Sequence, residues 1–169
     1  MRRRGGGRIL NVSSMGGRAT LPGGGFYHAS KYAVEALSDA LRVEVAPFGI
    51  DVVLIEPGPV RTPWNQVVAG SLSTAVPGSS DDGAADADPY RDYKAAVTAS
   101  FTAAQTGLLG RLGSTADDIA KVITRAATAP RPRTRYLINP VAKSVVTMNR
   151  LLPGRAYDAV VRRQYGLPR

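Results

Sequence analysis

One run of six residues, Ile50-Asp51-Val52-Val53-Leu54-Ile55, constrains the fold of this chain more than any other feature. Only Asp51 interrupts it, and most of its residues are β-branched. A strand with one wet face alternates apolar and polar side chains. A run this continuous suits a strand buried on both faces, as in a parallel sheet covered by helices. Ahead of it, Ala29, Ala33, Leu37, Leu41 and Val45 recur at helical spacing from about Tyr27. Pro47 and Gly49 stop that helix. Further back, residues 8–13 (Arg-Ile-Leu-Asn-Val-Ser) read as a short buried strand. The first third is therefore strand, loop, helix, strand. A crossover of this kind between parallel strands should be right-handed.

The remainder is less regular. Ser, Gly, Ala and Asp dominate residues 70–88, which read as a loop. An apolar-leaning segment from about Tyr90 to Leu109 suits a helix. Ser114 or Thr115 can cap a helix to about Ala127, with Asp117 and Asp118 in its first turn, where carboxylates oppose the helix dipole. Arg135 to Asn139 reads as a third short strand. Two helical stretches follow, about 141–152 and 155–164, separated by Pro153-Gly154. There is no internal repeat, and 169 residues suffice for one domain with its own core.

Composition excludes some functions. With 44% hydrophobic residues the chain is globular rather than disordered. It has no cysteine, so disulfides and thiolate metal sites are absent. Asp81, Asp82, Asp86 and Asp88 lack the spacing of a calcium loop, so no metal is expected. No apolar stretch approaches the roughly 18 residues of a membrane span, and a cytoplasmic protein is expected. The net charge of +9 invites a nucleic-acid reading. The arginines sit at both ends and around residues 131–135 rather than in one stripe interleaved with aromatics, which argues against nucleic-acid binding.

Three residues carry the chemistry: Ser14, Tyr27 and Lys31. Tyr27 and Lys31 are four residues apart, on one face of a helix. A nearby ammonium favours the phenolate form of a phenol. A hydroxyl from a neighbouring strand end can hold a carbonyl or alcohol oxygen close to that phenol. Such a trio is a proton-transfer site.

Asn11-Val12-Ser13-Ser14, then Tyr27-His28-Ala29-Ser30-Lys31, then Pro57-Gly58-Pro59-Val60-Arg61-Thr62 resemble the short-chain dehydrogenase/reductase family. In that family a serine ends a strand, Tyr-x-x-x-Lys opens the next helix, and Pro-Gly-x-Val-x-Thr follows the next strand. The joint match covers residues 8–62. Beyond it the likeness is one of layout, and the tail is similar to those of 17β-hydroxysteroid and retinol dehydrogenases. The resemblance implies an α/β fold: a partial Rossmann-like, doubly wound parallel sheet of about three strands with flanking helices. It implies hydride transfer between NAD or NADP and a small-molecule secondary alcohol or ketone. It makes Tyr27 the general acid/base, Lys31 its partner and a ligand of the nicotinamide ribose, and Ser14 the holder of the substrate oxygen. Pro57 and Gly58 would let the backbone approach the nicotinamide, and Val60 and Thr62 would contact its carboxamide or a phosphate. Residues 66–112 become a substrate-loop region, and residues 141–169 a basic amphipathic helical tail. That tail suits packing over the site or on a partner subunit better than contact with a membrane surface. A homo-oligomer is expected through the Tyr27 helix.

The sequence departs from the family in one large respect. Members begin with a strand followed by a glycine-rich turn that cradles pyrophosphate. Here Gly5-Gly6-Gly7 precedes a strand. The sequence resembles the C-terminal half of a member, beginning just before its fifth strand. Two readings follow: a truncated oxidoreductase, and a catalytically inactive remnant acting as an interaction module. Some residues keep two roles at this point. Ser14 can simply cap a turn, Thr62 can be a helix cap, and Trp64 can line a pocket or just pack. His28, the only histidine, is expected to point to another helix face in a partly exposed structural role.

Overall fold

The computed structural model describes residues 1–62, 67, 70 and 89–167. Three strands, β1 (Gly7–Val12), β2 (Ile50–Pro57) and β3 (Arg135–Ile138), form one parallel sheet in the order β1-β2-β3. Among the described residues these helices accompany them: α1 (Gly25–Val45), α2 (Arg91–Thr106), the single turn α3 (Leu108–Arg111), α4 (Ala116–Thr128), α5 (Pro140–Leu151) and α6 (Gly154–Gln164). This is the expected α/β arrangement. Trp64 and the four aspartates of residues 81–88 lie outside the described residues.

The apolar run does what its composition requires. Val52, Val53, Leu54, Ile55 and Glu56 are each at most 2% exposed. Alternate side chains leave a strand on opposite faces. Val53 and Ile55 pack with Ile119, Val122, Ile123 and Ala126 of α4. Val52, Leu54 and Glu56 face the other way, towards α1, which packs along β2. Helices on both faces explain why the run has no wet side. Arg8 fastens the layers. Its guanidinium donates to Asp51 Oδ2 at 2.8 Å and to the Ala126 and Ala127 carbonyls at 2.9 and 2.8 Å. A cation on the last carbonyls of α4 also opposes that helix's dipole.

A second cluster gathers the C-terminal helices. Tyr157, Val161 and Tyr165 are buried with Ala19 and Val97, and Val145, Met148 and Leu152 pack against them. The apolar side of the basic tail is therefore turned inward. Asn149 Nδ2 donates to the Arg18 carbonyl at 2.8 Å, and Tyr157 OH to the Thr20 carbonyl at 3.1 Å. The tail thus grips the loop that runs from β1 into α1.

The β1 edge of the sheet has no further strand paired to it among the described residues. β1 is an edge strand, half-buried rather than buried, and Val12 is 50% exposed. On α1, Phe26, Leu37 and Val43 are 96, 70 and 76% exposed. β3 is one residue shorter than the sequence suggests. Asn139 leaves the strand at φ 73° and caps α5, its Oδ1 accepting from Ala142 N at 2.9 Å. The start of α4 is as expected: Thr115 Oγ1 accepts from Asp118 N, and Asp118 accepts from Thr115 N in return.

The two kinds of stabilisation should be separable by chemical denaturation. Leu54→Ala leaves a cavity in a fully buried strand and should cost about 2–5 kcal/mol. Thr115→Ala removes a cap at the surface and should cost about 0.5–2 kcal/mol. Equal effects would contradict this account of the core.

Candidate active site

The parallel pairing of β1 and β2 brings their carboxyl ends together. Ser13 N donates to the Ile55 carbonyl at 2.8 Å, which continues the ladder past the end of β1. Ser14 then stands beside Pro57, its Oγ 3.4 Å from the Pro57 carbonyl. In open α/β sheets, ligands bind outside the carboxyl ends of the strands. Ser14 also caps the 3-10 turn Met15–Gly17, accepting from Gly16 N at 3.0 Å. Its turn-capping role and its place at the strand end coexist in one geometry.

Tyr27 is the third residue of α1, which delivers it to the same end of the sheet. Lys31, one turn on, donates from Nζ to the Val12 carbonyl at 3.1 Å and lies 5.9 Å from the centre of the Tyr27 ring. Gly16 joins the groups. A Cβ there would lie 3.2 Å from Tyr27 Cε1, so Gly16 lies close against the ring while its amide holds Ser14. Ser14 thus lies beside Pro57, Lys31 on the Val12 carbonyl, and the Tyr27 ring against Gly16.

The Pro57–Thr62 segment behaves differently. The space a Cβ would need at Gly58 is filled by the Asn139 side chain and by Ala142 Cβ, 2.9 Å away. Packing against the start of α5 thus gives glycine a structural reason here, independent of any ligand. Val60 pairs with Ser114 in an isolated parallel bridge, and Thr62 lies exposed at a bend. Asn139 Nδ2 donates to the Pro59 carbonyl at 3.2 Å and to Ser114 Oγ at 3.3 Å. The motif is held in place by a residue that the sequence reading placed in a strand. The signal was Asn139-Pro140, a pair that favours a helix start.

His28 is the clearest correction. It is buried, 7% exposed, and turned into the loop before α1. Its Nδ1 lies 2.9 Å from the Gly16 carbonyl, and Leu21 N donates to its Nε2 at 3.2 Å. The loop folds back over the first turn of α1, and this encloses a face that helical spacing alone leaves open.

Behind the turn lies a charged cluster that the sequence reading did not find. Glu56 closes the buried strand, and its Oε1 lies 3.0 Å from Arg135 Nε and 3.4 Å from an Arg18 nitrogen. Glu35, on the same helical stripe as Tyr27 and Lys31, shares Arg135 Nε at 3.2 Å. Arg135 also grips both oxygens of Asp39 at 2.6 Å, and Arg42 pairs with Asp39. Glu35 Oε1 is buried without a hydrogen-bond partner among the described residues. Burial, and next the charge of Glu35, push the Glu56 carboxyl up to about 7, against the pull of Arg18 and Arg135. A carboxylate closing a doubly buried strand must recruit cations. That was the available signal, although it does not say which cations.

Comparison with known proteins identifies the family. A family model described as short chain dehydrogenase matches residues 1–71. An uncharacterized oxidoreductase, YbbO, of Escherichia coli K12 is 36% identical over 155 residues, covering 92% of this chain and 48% of that protein. Mouse retinol dehydrogenase 7 is 35% identical over 159 residues, with 92% and 48% covered. The crystal structure of a short-chain dehydrogenase from Streptomyces avermitilis superposes with a TM-score of 0.61 at 27% identity, over 96% of this chain and 50% of that one. The chain belongs to the short-chain dehydrogenase/reductase family. It spans about half the length of the relatives it matches.

The Glu56 carboxyl gives a pH signature of known sign. Its value in the fold lies above the unfolded one, so the native state holds a proton that the unfolded chain has released. Stability from this group is complete below about 4.5 and is lost as pH rises towards about 7. At about 1.4 kcal/mol per pH unit, the loss is at most about 3–4 kcal/mol. Asp39, held low by Arg42 and Arg135 against its burial, contributes in the opposite direction and only in stronger acid. Denaturant melts across this range should show the decline, and Glu56→Gln should flatten it. A decline of the same size in Glu56→Gln would contradict the assignment.

Proposed function

We propose that this chain carries the proton-transfer part of an NAD(P)-dependent oxidoreductase site acting on a secondary alcohol or ketone. The observation that supports this most is the gathering of Ser14, Tyr27 and Lys31 around the carboxyl ends of two parallel strands. The donor set suits the nicotinamide end of the cofactor. An ammonium and a phenol are both hydrogen-bond donors to ribose hydroxyls. Lys31 and Tyr27 would hold that ribose, with Pro57, Gly58, Val60 and Thr62 bordering the ring or a phosphate. Bound there, NAD or NADP would supply hydride exchange, which no side chain can.

The protein's own part is the proton. Tyr27 Oη takes the proton of a substrate hydroxyl during oxidation and returns it during reduction. Lys31 sets an ammonium 5.9 Å from the centre of that ring. One of its three N–H donors goes to the Val12 carbonyl, which anchors the ammonium beside the ring. Ser14 Oγ steadies the substrate oxygen. Its contact with the Pro57 carbonyl, at 3.4 Å, is long for an O–H···O bond and is readily exchanged for one to substrate. Residues 66–112 and the tail of 141–169 would shape the substrate pocket.

A second reading has its own observation. Among the described residues β1 has one unpaired edge, and Phe26, Leu37 and Val43 are exposed on α1. Such a surface invites another polypeptide. On this reading the chain is a non-catalytic module, or it reacts only when a second polypeptide, or chain preceding residue 1, supplies the pyrophosphate-binding turn.

Dinucleotide binding separates the two. Unchanged NADH and NADPH fluorescence and an unchanged Tm would favour the module. In a chain extended by a dinucleotide-binding half, Tyr27→Phe should lower kcat by about 100-fold or more. Affinity for the dinucleotide should persist. Retained turnover would refute the role given to Tyr27.

A further inference from the structure

The Ser14 hydroxyl is oriented by a turn made of the least constrained residues available. Gly16 and Gly17 follow it, and glycine has more backbone freedom than any other residue. Something must hold that turn, and His28 contacts it at Gly16 and the following loop at Leu21. Leu21 N–H donates to Nε2 at 3.2 Å, so Nε2 is the bare nitrogen of the ring. In a neutral imidazole the proton then sits on Nδ1. From there it is donated to the Gly16 carbonyl at 2.9 Å. Two glycines close on the ring: a Cβ on Gly16 would lie 2.8 Å from Nδ1, and one on Gly24 2.9 Å from Nε2. The ring also meets Tyr27 edge to face, with centroids 5.6 Å apart.

These contacts form one directional chain. His28 Nδ1–H donates to Gly16 O, Gly16 N–H donates to Ser14 Oγ, and Ser14 Oγ–H points to Pro57 O. Gly16 supplies both an acceptor and a donor, so the bond to its carbonyl orients one of its peptide planes and restricts how the other brings the amide to Ser14. We propose that His28, held as the neutral ring protonated at Nδ1, is a positioning residue that sets the Ser14 hydroxyl relative to Tyr27. This rests on the reading of Ser14 and Tyr27 as the groups that meet substrate. His28 itself touches neither substrate nor cofactor.

The chain has a single histidine, so its imidazole gives one unambiguous set of nitrogen signals. Long-range 1H–15N spectra of the labelled chain at about pH 8 should show a protonated, pyrrole-type Nδ1 and a bare, pyridine-type Nε2. The reverse pattern, an even mixture, or a chain without dispersed amides overturns the proposal. Variants then separate positioning from bulk packing. His28→Asn keeps a donor near the Nδ1 position, and His28→Ala keeps none. The Gly16 amide and Ser14 Cβ signals should stay near their wild-type positions in His28→Asn and shift in His28→Ala. His28→Gln, which can offer an acceptor near the Nε2 position, should spare Leu21 but not Gly16. Equal shifts in all three variants overturn the proposal. If a variant fails to fold, the wild-type tautomer still decides. Failure of the extended chain to bind dinucleotide would defeat the functional reading and leave the tautomer as it is.

Discussion

The parallel ladder between β1 and β2 is the constraint on which the rest depends. Two strands running the same way end at the same edge, so the residues that follow them, Ser13-Ser14 and Pro57-Gly58, become neighbours without any further device. The ladder forms because β2 cannot face water on either side. Its even-numbered side chains lie towards α1 and its odd-numbered ones towards α4. Parallel strands need a crossover, and here the crossover helix opens with Tyr27 and Lys31. One packing requirement therefore delivers a hydroxyl, a phenol and an ammonium to one place.

Holding them there takes more than the sheet. The loop of residues 14–25 is rich in glycine and would be soft alone. Several parts of the protein fasten it: His28 of α1, Tyr93 of α2, Asn149 and Tyr157 from the C-terminal helices, and Glu56 through its pairing with Arg18. The same Glu56 shares Arg135 with Glu35, which stands on the stripe of α1 that bears Tyr27 and Lys31. A buried carboxyl pair around one guanidinium is weak evidence for stability, since desolvation opposes the attraction. Its geometry ties β2, β3, α1 and the loop together.

Much of this was legible in the sequence, for local reasons. A doubly buried strand announces itself by lacking polar alternation, a helix by the spacing of Ala29, Ala33, Leu37 and Leu41, and a cap by Thr115 with Asp118. The trio of Ser14, Tyr27 and Lys31 was legible because its members sit close to the elements that carry them. What escaped depends on contacts across many residues. Asn139 reads as the end of a strand until the backbone turns to φ 73° and its amide reaches Pro59 and Ser114. His28 reads as a partly exposed structural residue on another helix face until the loop closes over it. Arg135 sits a hundred positions from Glu35, and no periodicity links them. β1 was expected to be buried, yet Val12 is half exposed because β1 lies at the edge of the sheet.

The central claim is that loop and helix bring these groups together in solution. Nuclear Overhauser contacts on the labelled chain test it most directly. The account predicts contacts from the Tyr27 ring protons to Gly16 Hα and to the His28 ring, and from the Lys31 side chain to the residues at the end of β1. A well-dispersed spectrum in which the Tyr27 ring shows no contact with Gly16 would contradict it.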